Sequence, residues 1–236
     1  MALRPDWLYD EFCQIGTDYE DEDEVCGYDS KMRRIRDVDR EVEEVLACLP
    51  LGPDERLLEI GTGTGQLAIA ASRRCRRVYA ADVSLAMLRF ARDRAQKAGA
   101  DNVEFCLGGF LTYCHKGPLV DAAVTQLALH HLPDFWKQVA LLRLAEMIRP
   151  GGLLFLKDVI YTFDPVNYAT FFPEYLETIR RKGGDQRSVT THISKEHSTM
   201  GWIVEGMLVR AGFSVTQSHV HSGFMSSYLC RLTAGP

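Results

Sequence analysis

Mainly apolar runs of strand length alternate along this chain with apolar residues at helical spacing. Leu57 to Ile60, Val78 to Ala81, Val103 to Leu107, Leu119 to Leu127 and Leu153 to Ile160 form the runs. Before the first of them, Val38, Val42, Val45, Leu46 and Leu49 mark one face of a helix that begins at Asp37 and ends at Pro50, Gly52 and Pro53. Leu67 to Ala71 starts a second packed helix. Ser84 is the N-cap of a third that runs through Lys97, with Leu85, Leu88, Ala91 and Ala95 inward and Gly99 as its stop. Pro133 opens a fourth through Ile148, ended by Arg149-Pro150-Gly151-Gly152. The run before it, Leu119 to Leu127, is too apolar for a half-exposed strand, which suits a parallel sheet covered on both faces. The alternation predicts an α/β fold with a doubly wound, mostly parallel sheet.

The two ends depart from this rhythm. Residues 1–36 read as irregular, with Trp7, Tyr9, Phe12, Tyr19 and Tyr28 and the acidic run Glu20 to Glu24. Such a run reads as solvated surface, because no fixed metal-ligand spacing accompanies it. The aromatics must lie across the surface of the domain, within reach of a ligand. Tyr161 to Ser194, with Tyr168, Phe171, Phe172, Tyr175 and Gly183-Gly184, reads as an inserted cap. Lys195 to Arg210 then reads as a helix with Trp202, Ile203, Met207 and Leu208 inward and Gly212 just past its end. Phe213 to Val220 and Ser226 to Leu232 are two strands joined by a turn around Gly223. With so short a connection they must pair antiparallel. The expected organisation is a single domain over 1–236: an N-terminal cap segment (1–36), a ligand-binding core (37–160), the cap insertion (161–194), and a C-terminal helix with its strand pair (195–236).

Composition narrows the function classes. With 46% hydrophobic and 25% charged residues, the chain has material for a sizeable core. A net charge of −5 argues against a nucleic-acid binder, which carries a basic stripe. The cluster Arg73, Arg74, Arg76 and Arg77 reads instead as a solvated helix end. Seven cysteines without a CxxC pair, no apolar leader region and no run of membrane-spanning length point to a reduced, cytoplasmic chain that does not contact membrane.

The candidate chemistry lies at Glu59-Ile60-Gly61-Thr62-Gly63-Thr64-Gly65, a glycine turn between a strand and a helix. Such a turn brings backbone N–H groups close to a ligand. The dinucleotide fingerprint G-x-G-x-x-G wants a glycine where Gln66 stands, and no G-K-[ST] follows, so both phosphate-binding readings lose ground. A carboxylate at Glu59, inside an apolar run, needs a partner.

Together with Asp82, which closes the second strand, with Leu129-His130-His131-Leu132-Pro133-Asp134 and with Arg149-Pro150-Gly151-Gly152, this loop resembles the class I S-adenosylmethionine-dependent methyltransferases. The resemblance covers roughly residues 37–160 and the C-terminal hairpin. It implies a seven-stranded Rossmann-like sheet ending in an antiparallel strand, with S-adenosylmethionine as cofactor. It also implies a cofactor site of Glu59, Gly61, Thr62, Gly63, Gly65, Asp82, Val83, Met87, Gly109, Phe110 and Gln126. In that family the acid at Glu59 contacts the amino end of the cofactor and Asp82 takes the ribose hydroxyls; the apolar Val83 and Met87 are suited to sandwich adenine. One position departs from the family: where an acid often reads the adenine amino group, this chain has Gly109, which leaves recognition to backbone groups and Phe110.

Methyl transfer from a sulfonium asks the protein chiefly to align, desolvate and sometimes deprotonate. A base belongs near the C-terminal ends of the fourth and fifth strands, where His130, His131, Asp158 and Tyr161 fall. His130 and His131 are the candidate catalytic residues. His192, His197, His219 and His221 read as structural or substrate-facing, with no carboxylate or cysteine at a fixed offset, so no metal is expected. Gln126-Leu127-Ala128-Leu129 lacks the N/D-P-P-Y/F of nucleic-acid amino-methyltransferases, and Leu127 to Pro133 lacks the paired glutamates of the protein-arginine type. Both absences point to a small-molecule methyl acceptor bound under the aromatic segments. A non-catalytic subunit that keeps the fold, and an NAD(P)-dependent oxidoreductase, are the alternatives.

Overall fold

The computed structural model describes residues 5–13, 15 and 19–233. A seven-stranded sheet runs β3-β2-β1-β4-β5-β9-β8, formed by β1 (Arg56–Ile60), β2 (Arg77–Asp82), β3 (Val103–Leu107), β4 (Val120–Gln126), β5 (Ile148–Asp158), β8 (Phe213–His221) and β9 (Met225–Leu232). The first five strands are parallel, and β9 lies antiparallel between β5 and β8. The mostly parallel doubly wound sheet and the C-terminal antiparallel pair are as the sequence predicts.

The period of two along each strand divides the core. Leu57, Val78, Ala80, Ala122, Val124, Leu153 and Phe155 face α2 (Val38–Cys48) and α3 (Gln66–Ser72). Leu58, Ile60, Tyr79, Ala81, Ala123, Leu154 and Leu156 face α5 (Asp134–Met147) and α8 (Gly201–Arg210) on the other side. Leu57, Leu58, Ala123 and Leu154 are fully excluded from water, and burying a leucine of this kind contributes about 1.5–3 kcal/mol. The helix starts were legible. Asp37 caps α2 by accepting from the Arg40 N–H, and Ser84 caps α4 (Leu85–Ala98) by accepting from Met87, with Gly99 left-handed at its end.

Five readings need correction, the smallest being Leu85, which is 40% exposed at the start of α4 instead of inward. The acidic N-terminal segment is not irregular: α1 (Glu22–Ile35) forms there, with acids at its positive end and Arg33 and Arg34 in its last turn. Val25 seats it on Ala86 and Met87 of α4. Arg149-Pro150-Gly151-Gly152 does not separate α5 from β5. It lies within the strand, as a bulge where the pairing shifts between Val120 and Ala122. The strand stops at Asp158, and Ile160–Tyr161 forms a separate short strand, β6, paired with β7 (Thr199–Met200). The last helix starts at Gly201 rather than Lys195, and Trp202 points outward, 71% exposed, while Val204 and Leu208 fill the core. The 161–194 stretch is helical, with α6 (Tyr168–Arg181) and α7 (Gln186–Lys195). Neither contributes a fully buried residue.

Candidate functional site

The strand order reverses between β1 and β4, and the loops after these strands part there to open a crevice, the usual ligand position in an open α/β sheet. Two adjoining clefts share Tyr28, Gly61, Gly63, Gln126 and Leu127. One is lined further by Glu11, Tyr19, Asp82, Val83, Met87, Gly109, Phe110, Ala128, His131 and Leu132; the other by Glu59, Thr62, Thr64 and Gln66. The expected cofactor residues thus gather in one groove, with Gly65 apart.

Each glycine of the loop has its own reason. Gly61, Gly63 and Gly65 all have φ between +52 and +81, where a side chain is strained. A Cβ at Gly61 would stand 2.6 Å from the Cβ of Ala128, and one at Gly65 would stand 2.9 Å from that of Ala91. Gly65 therefore lets α3 approach α4 and is a packing residue. At Gly63 a Cβ would meet no protein atom within 4 Å, so its open face belongs to the crevice.

Asp82 and Glu59 are both buried. The Gly63 N–H donates to one oxygen of Asp82 at 2.7 Å and the Ser84 N–H to the other at 2.9 Å, so this carboxylate sets the loop against the start of α4. Burial raises its pKa against the pull of these amides. Glu59 accepts one side-chain hydrogen bond, from Thr62 at 2.8 Å, and burial pushes its carboxyl up to about 8. Among the described residues no cation pairs with this acid at the edge of a cleft. Leu127, beside Gln126 on the other wall, has φ of +53, a backbone strain of about 1–3 kcal/mol held by its N–H bond to the Lys157 carbonyl.

The sequence reading missed Glu11. Its carboxylate, 5% exposed, accepts from the Leu111 N–H, the Thr112 N–H and the Thr112 hydroxyl, all at 3.1 Å or less. A Cβ built on Gly109 would fall 2.5 Å from its Oε2. Glu11, reaching across from the N-terminal segment, therefore places a carboxylate where residue 109 would project its side chain. Nothing local in the sequence marks it, because its partners lie a hundred positions away.

The histidine pair divides. His131 lines the cleft, and its backbone carbonyl accepts from the Tyr9 hydroxyl at 3.1 Å. Burial and the neighbouring His130 lower its pKa to about 4. His130 lies behind it, the ring centroids 4.3 Å apart. Its Nδ1 binds Asp158 and its Nε2 lies 3.2 Å from Glu196. Burial works against its charge, but these two carboxylates outweigh burial and hold it up at about 9. Asp158 also accepts the Leu129 and His130 N–H groups, which fixes the turn after β4. The remaining histidines do not assemble into one cluster. His219 and His221 lie on exposed β8, whereas His192 comes from α7 to meet His130 and Glu196. The expected lack of a carboxylate at a fixed offset is wrong for His192, since Glu196 follows it by four residues.

Residues 57–152 match a family described as a methyltransferase domain. An uncharacterized methyltransferase of Geobacillus kaustophilus is 25% identical over 192 residues, 81% of this chain and 83% of that one. The 27-O-demethylrifamycin SV methyltransferase of Amycolatopsis mediterranei is 32% identical over 128 residues, 53% and 46% of the two chains. Among solved structures, a SAM-dependent methyltransferase from Aquifex aeolicus superposes with a TM-score of 0.63 at 20% identity, covering 90% of this chain and 98% of that one. No helix among the described residues is long and apolar enough to cross a membrane. With the glycine loop, the acids at Glu59 and Asp82 and the strand order in place, residues 57–152 form a methyltransferase domain, and the chain has the class I S-adenosylmethionine-dependent methyltransferase fold.

Proposed function

We propose that this protein transfers a methyl group from S-adenosylmethionine to a small-molecule acceptor held beside His131. The observation that carries the reading is the groove that joins Glu59, Gly63, Asp82, Glu11 and His131 along one crevice. The residues fit the cofactor: Glu59 is a buried acid lacking a cation, Gly63 has open space above it, and Asp82 has lone pairs to spare after its two amide bonds. When bound, S-adenosylmethionine supplies an electrophilic methyl group on a sulfonium. Glu59 offers the counter-charge for an ammonium, Asp82 binds vicinal hydroxyls, and Val83, Met87 and Phe110 give apolar walls for a base. The acceptor side is bounded by His131, Tyr19 and Leu132. His131 is placed to take the acceptor's proton, whereas His130 lies behind it with Nδ1 bound to Asp158 and Nε2 3.2 Å from Glu196. The rifamycin methyltransferase among the relatives supports a small organic acceptor.

Calorimetry with S-adenosylmethionine and its demethylated product, followed by transfer of a labelled methyl group to a panel of small alcohols, phenols and amines, tests this reading. Binding of both and labelling of a panel member are expected, and His131→Gln should lower kcat by about 10²-fold with cofactor affinity nearly unchanged. Absence of binding at millimolar concentrations of both would end the proposal.

Glu11 has its own expected effect. With Oε2 at the place where an acid on residue 109 would reach, it takes over reading of the adenine amino group. Glu11→Ala should weaken cofactor affinity about 10–100-fold, the scale of a lost charged hydrogen bond. Gly109→Asp alone should also weaken it, because its Cβ meets Glu11, whereas Glu11→Ala with Gly109→Asp should recover most of the loss. A double variant no better than either single one, by titration calorimetry, would remove Glu11 from this role.

A further inference from the structure

We infer that His130, His192 and Glu196 form a binding site for a divalent transition-metal ion, with zinc the best match, that fastens the cap helix α7 to the core. One ligand atom each from His130, His192 and Glu196 lies within 4.8 Å of the other two. His130 Nε2 stands 3.2 Å from Glu196 Oε2. Zinc bonds of about 2.0–2.2 Å place neighbouring ligands roughly 3.3 Å apart, so this edge already has the span of a tetrahedral site. His192 and Glu196 are four residues apart, the last turn of α7 bringing both to one side.

Two further features separate this cluster from an ordinary ion pair. Glu196 Oε2 is buried and accepts no hydrogen bond of acceptable geometry, although two imidazoles adjoin it. Each imidazole is also held by its far nitrogen: His130 Nδ1 on Asp158, and His192 Nε2 at 2.8 Å from the Ser198 hydroxyl. That arrangement aims Nε2 of one ring and Nδ1 of the other at the shared carboxylate, the outer-sphere pattern that orients histidine ligands. A divalent ion that displaces the His130 proton leaves both rings neutral and balances the two negative charges of the Glu196 and Asp158 carboxylates. Since α6 and α7 bury no residue fully, the polar junction is where α7 is tied to the turn after β4.

The full-length, tag-free protein, freed of metal with a chelator, is titrated with Zn²⁺ against a chromophoric competitor and separately loaded with Co²⁺. One Zn²⁺ per chain with a submicromolar Kd is expected, together with intense visible d–d bands of a four- or five-coordinate Co²⁺ site. Glu196→Gln and His192→Ala should weaken binding at least 100-fold, and His219→Ala should leave it unchanged. Zn²⁺ should also slow hydrogen exchange across 186–196. Sub-stoichiometric binding, affinities unchanged in Glu196→Gln, or a Co²⁺ spectrum of the hydrated ion in the wild-type protein would each overturn the assignment. The Co²⁺ measurement on the wild type stands even where a variant fails to fold.

Discussion

Asp82→Ala is expected to lower S-adenosylmethionine affinity at least 100-fold, about 3 kcal/mol, and to do so more severely than any other single change in the groove. Two causes add. The methyl side chain cannot bind a vicinal diol, and it also leaves the Gly63 and Ser84 N–H groups, at 2.7 and 2.9 Å in the wild type, without their shared acceptor. A hydrogen bond to a charged group contributes about 1.5–3 kcal/mol, so the loop carrying Gly63 loses its setting before any ligand arrives. Asp82→Asn should be only slightly better, because one end of the amide must present N–H to an N–H donor. Titration calorimetry decides the matter, and an Asp82→Ala protein that binds within threefold of wild type would refute the assigned role.

The difference between Asp82 and Glu11 shows what a sequence can disclose. Asp82 announces itself by ending an apolar run at a fixed distance from a glycine loop, and β1, β2 and β4 are legible for the same local reason. Residues that face both sides of a covered sheet must be apolar, and the chain must turn where they end. Glu11 becomes meaningful only when folding lays its segment against Gly109 and Leu111, and no local pattern encodes that approach. Helix α1 was hidden differently. Its acids at the N-terminus and arginines at the C-terminus suit a helix dipole, yet a run of like charge reads equally as solvated chain. The RPGG bulge shows a third limit: proline and glycine end most helices and strands, but inside β5 they supply the irregularity that shifts the register. His192 and Glu196 did have a local signal, their spacing of four. It gains chemical sense only because His130 comes from another element to meet them.

Glu59 is expected to make the ligand-free protein less stable as pH rises from about 4.5 to about 8. Its carboxyl is fully buried, and the shift from 4.5 to about 8 corresponds to roughly 5 kcal/mol at about 1.4 kcal/mol per pH unit. In that window the folded chain holds a proton that the unfolded chain has released, so folding takes up a proton and raising the pH opposes it. The cost is absent below about 4.5, grows through neutrality and is complete above about 8. Glu59→Gln cannot ionise, and its thermal midpoint should therefore gain on that of the wild type steadily between pH 5 and 8. A cofactor that brings an ammonium to Glu59 reverses the preference. Binding near pH 7 should then release close to one proton, detectable by calorimetry in two buffers of different ionisation enthalpy, and wild-type affinity should rise with pH up to about 8 while that of Glu59→Gln shows no such rise. Parallel stability curves for the two proteins from pH 5 to 8 would show that Glu59 is already ionised without ligand, and that water or a further donor reaches it inside the fold.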